Sequence, residues 1–169
     1  MSLRQVTRKV CLVGDFSVGK SSLVARYVNH TLSDKYLTTV GVSIKTRVVE
    51  INDDIAVKLI IWDIAGEDVL TTATERYLKG ANGLVMVADG MRPQTVVASN
   101  ELLDAARGLL GQVPQVSLIN KADLAKFADH YPHDPNAIEE RFFDGYIYTS
   151  AKTGLNVEYA FAELAAKLV

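Results

Sequence analysis

A three-layer α/β sandwich, built on a six-stranded and mostly parallel sheet with helices on both faces, is the fold this sequence predicts. Three observations point to it. Short apolar, β-branched runs recur along the chain, helical periodicities alternate with them, and two of the runs are separated by only a three-residue turn. Alternating strand and helix gives parallel strands covered on both sides, and the tight turn adds one antiparallel strand.

Taken in order, residues 10–13 (Val-Cys-Leu-Val) form an apolar run that ends at Gly14 and suit a buried strand. A helical segment starts near Lys20. Residues 44–51 and 55–62 are rich in β-branched side chains and flank Asn52-Asp53-Asp54, a turn-forming trio, so they read as a hairpin. Three further strands are expected at 84–88, 116–119 and 146–149. Between them, Val96, Ser99, Leu103, Ala106 and Leu110 advance by 3, 4, 3 and 4, the spacing of one helix face. Val157, Phe161, Leu164 and Leu168 advance by 4, 3 and 4, just after Asn156, a candidate N-cap.

Composition bounds the rest. The 169 residues make one domain, 1–169, with residues 1–4 read as a disordered or cloning-derived leader. With 49% hydrophobic and 22% charged residues the chain is globular rather than disordered. Its longest apolar runs fall far short of the roughly 18 residues that span a bilayer. A net charge of −2 and a pI near 5.9 give no electrostatic footprint for nucleic acid. The single cysteine, Cys11, reads as a small buried hydrophobe, in keeping with a reducing cytoplasm. Ser2 is not the glycine that myristoylation needs, and Ala165 to Val169 offer no cysteine to prenylate. The expectation is therefore a cytoplasmic monomer with no lipid anchor in this chain.

Strand ends are where ligands bind in such sheets, and the motifs cluster there. Gly14-Asp15-Phe16-Ser17-Val18-Gly19-Lys20-Ser21 matches G-x-x-x-x-G-K-[ST] between a strand and a helix. Its glycines let the backbone curl so that successive N–H groups face phosphate oxygens, and the following helix adds its positive end. Lys20 supplies charge to the outer phosphates and the Ser21 hydroxyl a Mg²⁺ ligand. Asp63, at the end of the second hairpin strand, can reach the same ion through a water. Gly66, three residues on, permits a backbone N–H to approach a γ-phosphate. Asn120-Lys121-Ala122-Asp123 follows another strand. The Asp123 carboxylate can accept from both N1–H and the exocyclic amine of guanine, whereas adenine would leave it unpaired. In Ser150-Ala151-Lys152, the Ala151 N–H can donate to the guanine O6. Thr39, within residues 36–41, carries a hydroxyl able to join the metal when a γ-phosphate is present.

In order, spacing and position these five motifs resemble the small GTPases of the Ras superfamily, over nearly the whole chain. The similarity is greatest to the Rab branch around its two switches: YLTTVGVSI at 36–44, KLIIWDIAGED at 58–68 and ERYLKGANG at 75–83. The end without a tail is similar to free-standing Rab-like proteins of bacteria. The resemblance implies a phosphate-binding G domain that binds GTP or GDP with Mg²⁺, hydrolyses GTP, and answers to effector, exchange-factor and GTPase-activating proteins. It implies nucleotide contacts from Gly14, Asp15, Phe16, Ser17, Val18, Gly19, Lys20, Ser21, Ser22, Leu32, Tyr36, Thr39, Gly66, Asn120, Lys121, Asp123, Ser150, Ala151 and Lys152. Lys20, Thr39, Gly66 and Glu67 would act on the γ-phosphate, and Ser21, Thr39 and Asp63 would hold Mg²⁺.

The departures from that pattern carry their own expectations. Glu67 stands where the family usually has glutamine; an ionised carboxylate accepts but cannot donate. It also repels the γ-phosphate, by about 4 kcal/mol per charge pair at roughly 4 Å and an effective dielectric of about 20. Slow intrinsic hydrolysis follows, with a general-base role for Glu67 as the other outcome. Phe16 replaces a small residue, and its ring either obstructs a partner's arginine or folds over the second switch. Leu32 stands where an aromatic ring commonly stacks on guanine, so faster GDP release is expected. Two rival functions are a nucleotide-dependent binding module with little or no turnover, and an ATPase or kinase, for which Asn120-Lys121-Ala122-Asp123 has no use. Residues 130–134 (His-Tyr-Pro-His-Asp) read as a hydrated loop rather than a metal site, and Trp62 as a core residue beside the second switch.

Overall fold

The computed structural model describes residues 2–29, 41–66, 70–124, 126–127, 142–143 and 145–169. Leu32, Tyr36, Thr39, Glu67 and residues 130–134 lie outside them. The described elements run β1 (Arg4–Val13), α1 (Lys20–Asn29), β2 (Val42–Glu50), β3 (Ile55–Ile64), α2 (Thr72–Leu78), β4 (Gly83–Asp89), α3 (Gln94–Leu110), β5 (Gln115–Asn120), β6 (Phe142–Phe143), β7 (Tyr146–Tyr148) and α4 (Val157–Ala166). They form one sheet in the order β2-β3-β1-β4-β5-β7-β6.

The mostly parallel three-layer sandwich is the expected fold. β3, β1, β4, β5 and β7 run parallel, and β2 pairs antiparallel with β3 from Val42 opposite Ile64 to Glu50 opposite Ala56. To these six, the two-residue β6 adds a short antiparallel edge against β7. Two residues carry no periodicity, which is why the sequence does not announce it. The hairpin turn closes as an Asx turn, the Asn52 Oδ1 accepting from the N–H groups of Asp54 and Ile55 at 2.9 and 3.0 Å. β1 begins at Arg4, whose N–H donates to the Asp54 carbonyl at 2.8 Å.

Period-two alternation divides the core between the two faces of the sheet. Val10 and Leu12 of β1 join Leu23, Val24 and Tyr27 of α1 and Phe161 and Leu164 of α4 on one side. Cys11 and Val13 join Leu78 of α2 and Leu103 and Ala106 of α3 on the other. Tyr27 stacks on Phe161 with ring centroids 4.0 Å apart, fastening α1 to α4. Burial, offset only in part by Lys9, pushes the Cys11 thiol up to about 12, so it is inert at neutral pH.

One local expectation needs correction and another a refinement. Asn156 does precede α4, but at φ +56 it sits in the left-handed region and makes no side-chain cap. Its amide instead donates to the Tyr148 carbonyl at 2.8 Å, tying the helix start to β7. Trp62 packs against the core of the second face as expected but is only half-buried, with the Lys9 ammonium 3.8 Å from its ring centroid.

Candidate functional site

The carboxyl ends of β1, β3, β4, β5 and β7 converge, and the described residues assigned to the site from the sequence lie at those strand ends, in the loops that follow them or in the first turn of α1. After β1 the chain turns through Gly14–Gly19 into α1. Such a turn must place several backbone polar groups without a partner in secondary structure, so each needs an explicit one. The Lys20 ammonium, almost wholly buried, reaches back across the loop to the carbonyls of Gly14 and Asp15 at 3.1 and 3.2 Å. Burial pushes it down to about 8, with the Asp63 and Asp15 carboxylates working the other way. The Asp15 N–H donates to Ser99 Oγ at 3.2 Å, hanging the start of the loop on α3.

Two glycines are required by geometry. Gly19 has φ +103, and a Cβ there would stand 2.3 Å from Asn120 Nδ2. Gly66 lies so close to the loop that its Cβ would meet Lys20 Nζ at 2.8 Å and Phe16 Cα at 2.9 Å. At Gly66 the chain after β3 therefore enters the site as bare backbone. The Phe16 ring itself is 60% exposed, so it projects from the loop without joining the core.

Ser21, one residue into α1, donates its hydroxyl to Asp63 Oδ2 at 2.5 Å. A hydroxyl and a carboxylate at a helix start, beside a buried cation, form a hard-oxygen donor set that fits Mg²⁺ and no soft metal. Thr39, the third expected ligand, is outside the described residues.

On the other flank a cavity of about 190 Å³ is lined by Ser17, Gly19, Ser22, Asn120, Lys121, Asp123, Leu124, Ala151 and Lys152. Asn120 is its keystone. Its Nδ2 donates to the Val18 carbonyl at 3.1 Å and its Oδ1 accepts from Thr149 Oγ1 at 3.2 Å, joining the phosphate-side loop to the β7 loop. Lys121, held at φ +72, points its ammonium at the Ser17 carbonyl (3.4 Å) and at Asp89 Oδ2 (2.8 Å). Asp123 Oδ1 accepts from Ser150 Oγ at 2.7 Å, and the Ala122 N–H donates to the Thr149 carbonyl at 3.0 Å. Motifs 30 residues apart are thus one corner.

The sequence reading missed Ser99, Thr149 and Asp89. Ser99 lies on the buried face of α3, where its residue type signals nothing beyond helix packing. Asp89 ends β4 one residue past the predicted run, and its burial comes only with the fold.

With this geometry in place, comparison with known proteins is direct. The profile of the Ras family matches residues 9–169. The chain is 35% identical over 162 residues to the "Ras-related protein Rab-1" of Theileria parva, covering 95% of this chain and 73% of that protein. It is 34% identical over the same length and coverage to the protein of the same name from Theileria annulata.

Proposed function

The chain belongs to the Ras family, as a Rab-like small GTPase, and from that premise we propose which of its residues run the guanine-nucleotide switch. Membership makes it a GTP-binding switch with GTPase activity, using GTP, GDP and Mg²⁺ and answering to regulators and effectors. The assignment to residues is ours. Lys20 and the loop amides of 14–22 bind the phosphates, Ser21 and Thr39 bind the metal directly, and Asp63 binds it through water. Asn120, Lys121, Asp123 and the Ala151 N–H read the base, with Ser150 and Lys152 beside them. Thr39 and Gly66 sense the γ-phosphate.

One observation carries this reading: a single cavity runs from the phosphate-side residues Ser17, Gly19 and Ser22 to the base-side residues Asp123 and Ala151. A nucleotide combines an anionic end with a planar, donor-bearing end, the two chemistries that these two sets of residues would take. Mg²⁺ held there by Ser21, Thr39 and, through water, Asp63 would supply charge neutralisation to the bound phosphates. The protein's own part is to orient: Lys20 offers its charge from a buried, preset position, and Gly66 brings a backbone donor close without a side chain.

Glu67 takes the position of the water-orienting residue. A carboxylate there accepts from water but offers nothing to the transferring phosphoryl group, so we propose slow intrinsic hydrolysis and a long-lived GTP state. The exposed Phe16 ring stands where a partner's arginine would approach and adds to that brake. Single-turnover hydrolysis of bound GTP tests it: Glu67→Gln is expected to be roughly tenfold faster than the native chain. A native rate equal to or above that of Glu67→Gln makes Glu67 a working base. No hydrolysis from either makes the protein a nucleotide-dependent binding module.

A further inference from the structure

We infer that Arg92 is a positioning residue for the phosphate-binding loop, acting with Asp89 and Lys121 as a clamp that holds the loop from behind. The inference deepens the guanine-nucleotide reading above and rests on it. Its starting point is the accounting of loop carbonyls. Gly14 and Asp15 are held by Lys20, Ser17 by Lys121 and Val18 by Asn120. The remaining one, on Phe16, accepts from Arg92 Nη2 at 2.8 Å. Every carbonyl from Gly14 to Val18 therefore has a side-chain donor.

The consequence follows from peptide geometry. In a trans peptide the C=O and the next residue's N–H point in opposite directions, and none of the described peptides is cis. A donor fixed on the Phe16 carbonyl turns the Ser17 N–H away from Arg92. Lys121 does the same for the Val18 N–H, and Asn120 for the Gly19 N–H. Consecutive N–H groups that face the same way make an anion-binding nest, and donors holding these three carbonyls favour that arrangement. Cationic donors on the carbonyls also polarise those peptides, which strengthens the N–H groups at the other end.

Arg92 is built for this task. Its Nε donates to Asp89 Oδ2 at 2.9 Å, the same oxygen that Lys121 approaches at 2.8 Å. Asp89 is buried, and burial works against its charge. The Lys121, Arg92 and Met91 donors outweigh that and hold it below the usual carboxylate range. The turn carrying Arg92 is fixed as well: Thr95, fully buried, accepts from the Asp89 N–H at 2.8 Å and donates to the Arg92 carbonyl at 2.8 Å. The Gly90 N–H ties the same turn to the Asn120 carbonyl at 2.9 Å. One buried carboxylate thus sets two cations against two successive loop carbonyls. A surface ion pair would need neither the buried anion nor the second contact.

The test compares release of a fluorescent GDP from the native chain, Arg92→Met and Arg92→Lys with Mg²⁺ present, together with the ³¹P resonances of bound GDP. Arg92→Met keeps the apolar stem of a partly exposed side chain and is expected to release GDP roughly tenfold faster and to shift the β-phosphate resonance. Arg92→Lys offers one compact ammonium where the guanidinium bridges two acceptors, so it falls between. Native-like release from Arg92→Met overturns the inference, and so does faster release with unmoved phosphate resonances and a lowered unfolding midpoint, which is general loosening. A native chain that binds no GDP fails the nucleotide reading itself, a result distinct from either.

Discussion

The two halves of the site are built in opposite ways. The phosphate-binding loop is contiguous in sequence, yet its shape is imposed from outside: Asn120 lies 102 residues from the Val18 carbonyl it holds and Arg92 lies 76 from that of Phe16. The base-reading corner is split between residues 120–123 and 150–152, yet it is closed by its own members through the Ser150–Asp123 and Ala122–Thr149 bonds. A compact motif is therefore no guarantee of local self-sufficiency. Between its two buried residues, Gly14 and Val18, the loop has no packing of its own to hold a curled backbone, so partners at and just beyond the ends of β4 and β5 supply the restraint, whereas the corner sits on strand ends that already fix it.

The contrast breaks most completely at Asp123, the one base-side group with no substitute. Asp123→Ala removes the paired acceptor and leaves the phosphate loop untouched, so the preference for GTP over ATP should collapse by roughly a thousandfold. Competition of a fluorescent GTP by each nucleotide measures it. A preference that survives would mean that shape, or the Ala151 N–H, does the discriminating.

Gly19→Ala probes the external restraint. An alanine at φ +103 costs about 1–2 kcal/mol, and its Cβ would meet Asn120 Nδ2 at 2.3 Å, displacing the bond to Val18 at about 1 kcal/mol more. GDP affinity should fall by roughly thirty- to a hundredfold, measured by isothermal titration. Because part of that loss is the Asn120 contact, adding Asn120→Ala should cost less than it does in the native background. Full additivity would show that the loop does not depend on Asn120 for its shape.

Much of this was legible in advance, for identifiable reasons. The strand at 84–88 is buried on both faces and so reads as an unbroken apolar run, and that at 116–119 reads as one broken only by Ser117. The face of α4 reads by its 4, 3, 4 spacing: Val157, Phe161 and Leu164 are buried in the helix, and Leu168 is buried in the turn just beyond it. Residue types with one chemical use, such as Lys20 and Asp123, could be named from spacing. Asp89, Arg92, Ser99 and Thr149 could not, because their roles come from strand order: β4 lies between β1 and β5, and only that neighbourhood brings the end of β4 behind the loop after β1. Asn156 failed for a local reason. Its backbone took the left-handed conformation, which sent its side chain to Tyr148 instead of the helix start.

The smallest predicted effect tests whether the base corner really holds itself. Ser150 Oγ donates to Asp123 Oδ1 at 2.7 Å and accepts from the Thr153 N–H at 3.1 Å, so it fixes the carboxylate relative to the loop that carries Ala151. Ser150→Ala keeps the carboxylate and its charge but removes that restraint. A hydrogen bond to a charged group contributes about 1.5–3 kcal/mol, part of which water restores at the half-buried Asp123 carboxylate although Ser150 itself is buried, so GDP release should quicken by roughly fivefold. The preference for GTP over ATP should stay, because the paired acceptor that creates it is still present. Faster release with the preference intact separates the positioning of Asp123 from its recognition chemistry. An unchanged release rate would mean that Asp123 is held by the bound base alone, and the corner would then be no more self-contained than the loop across from it.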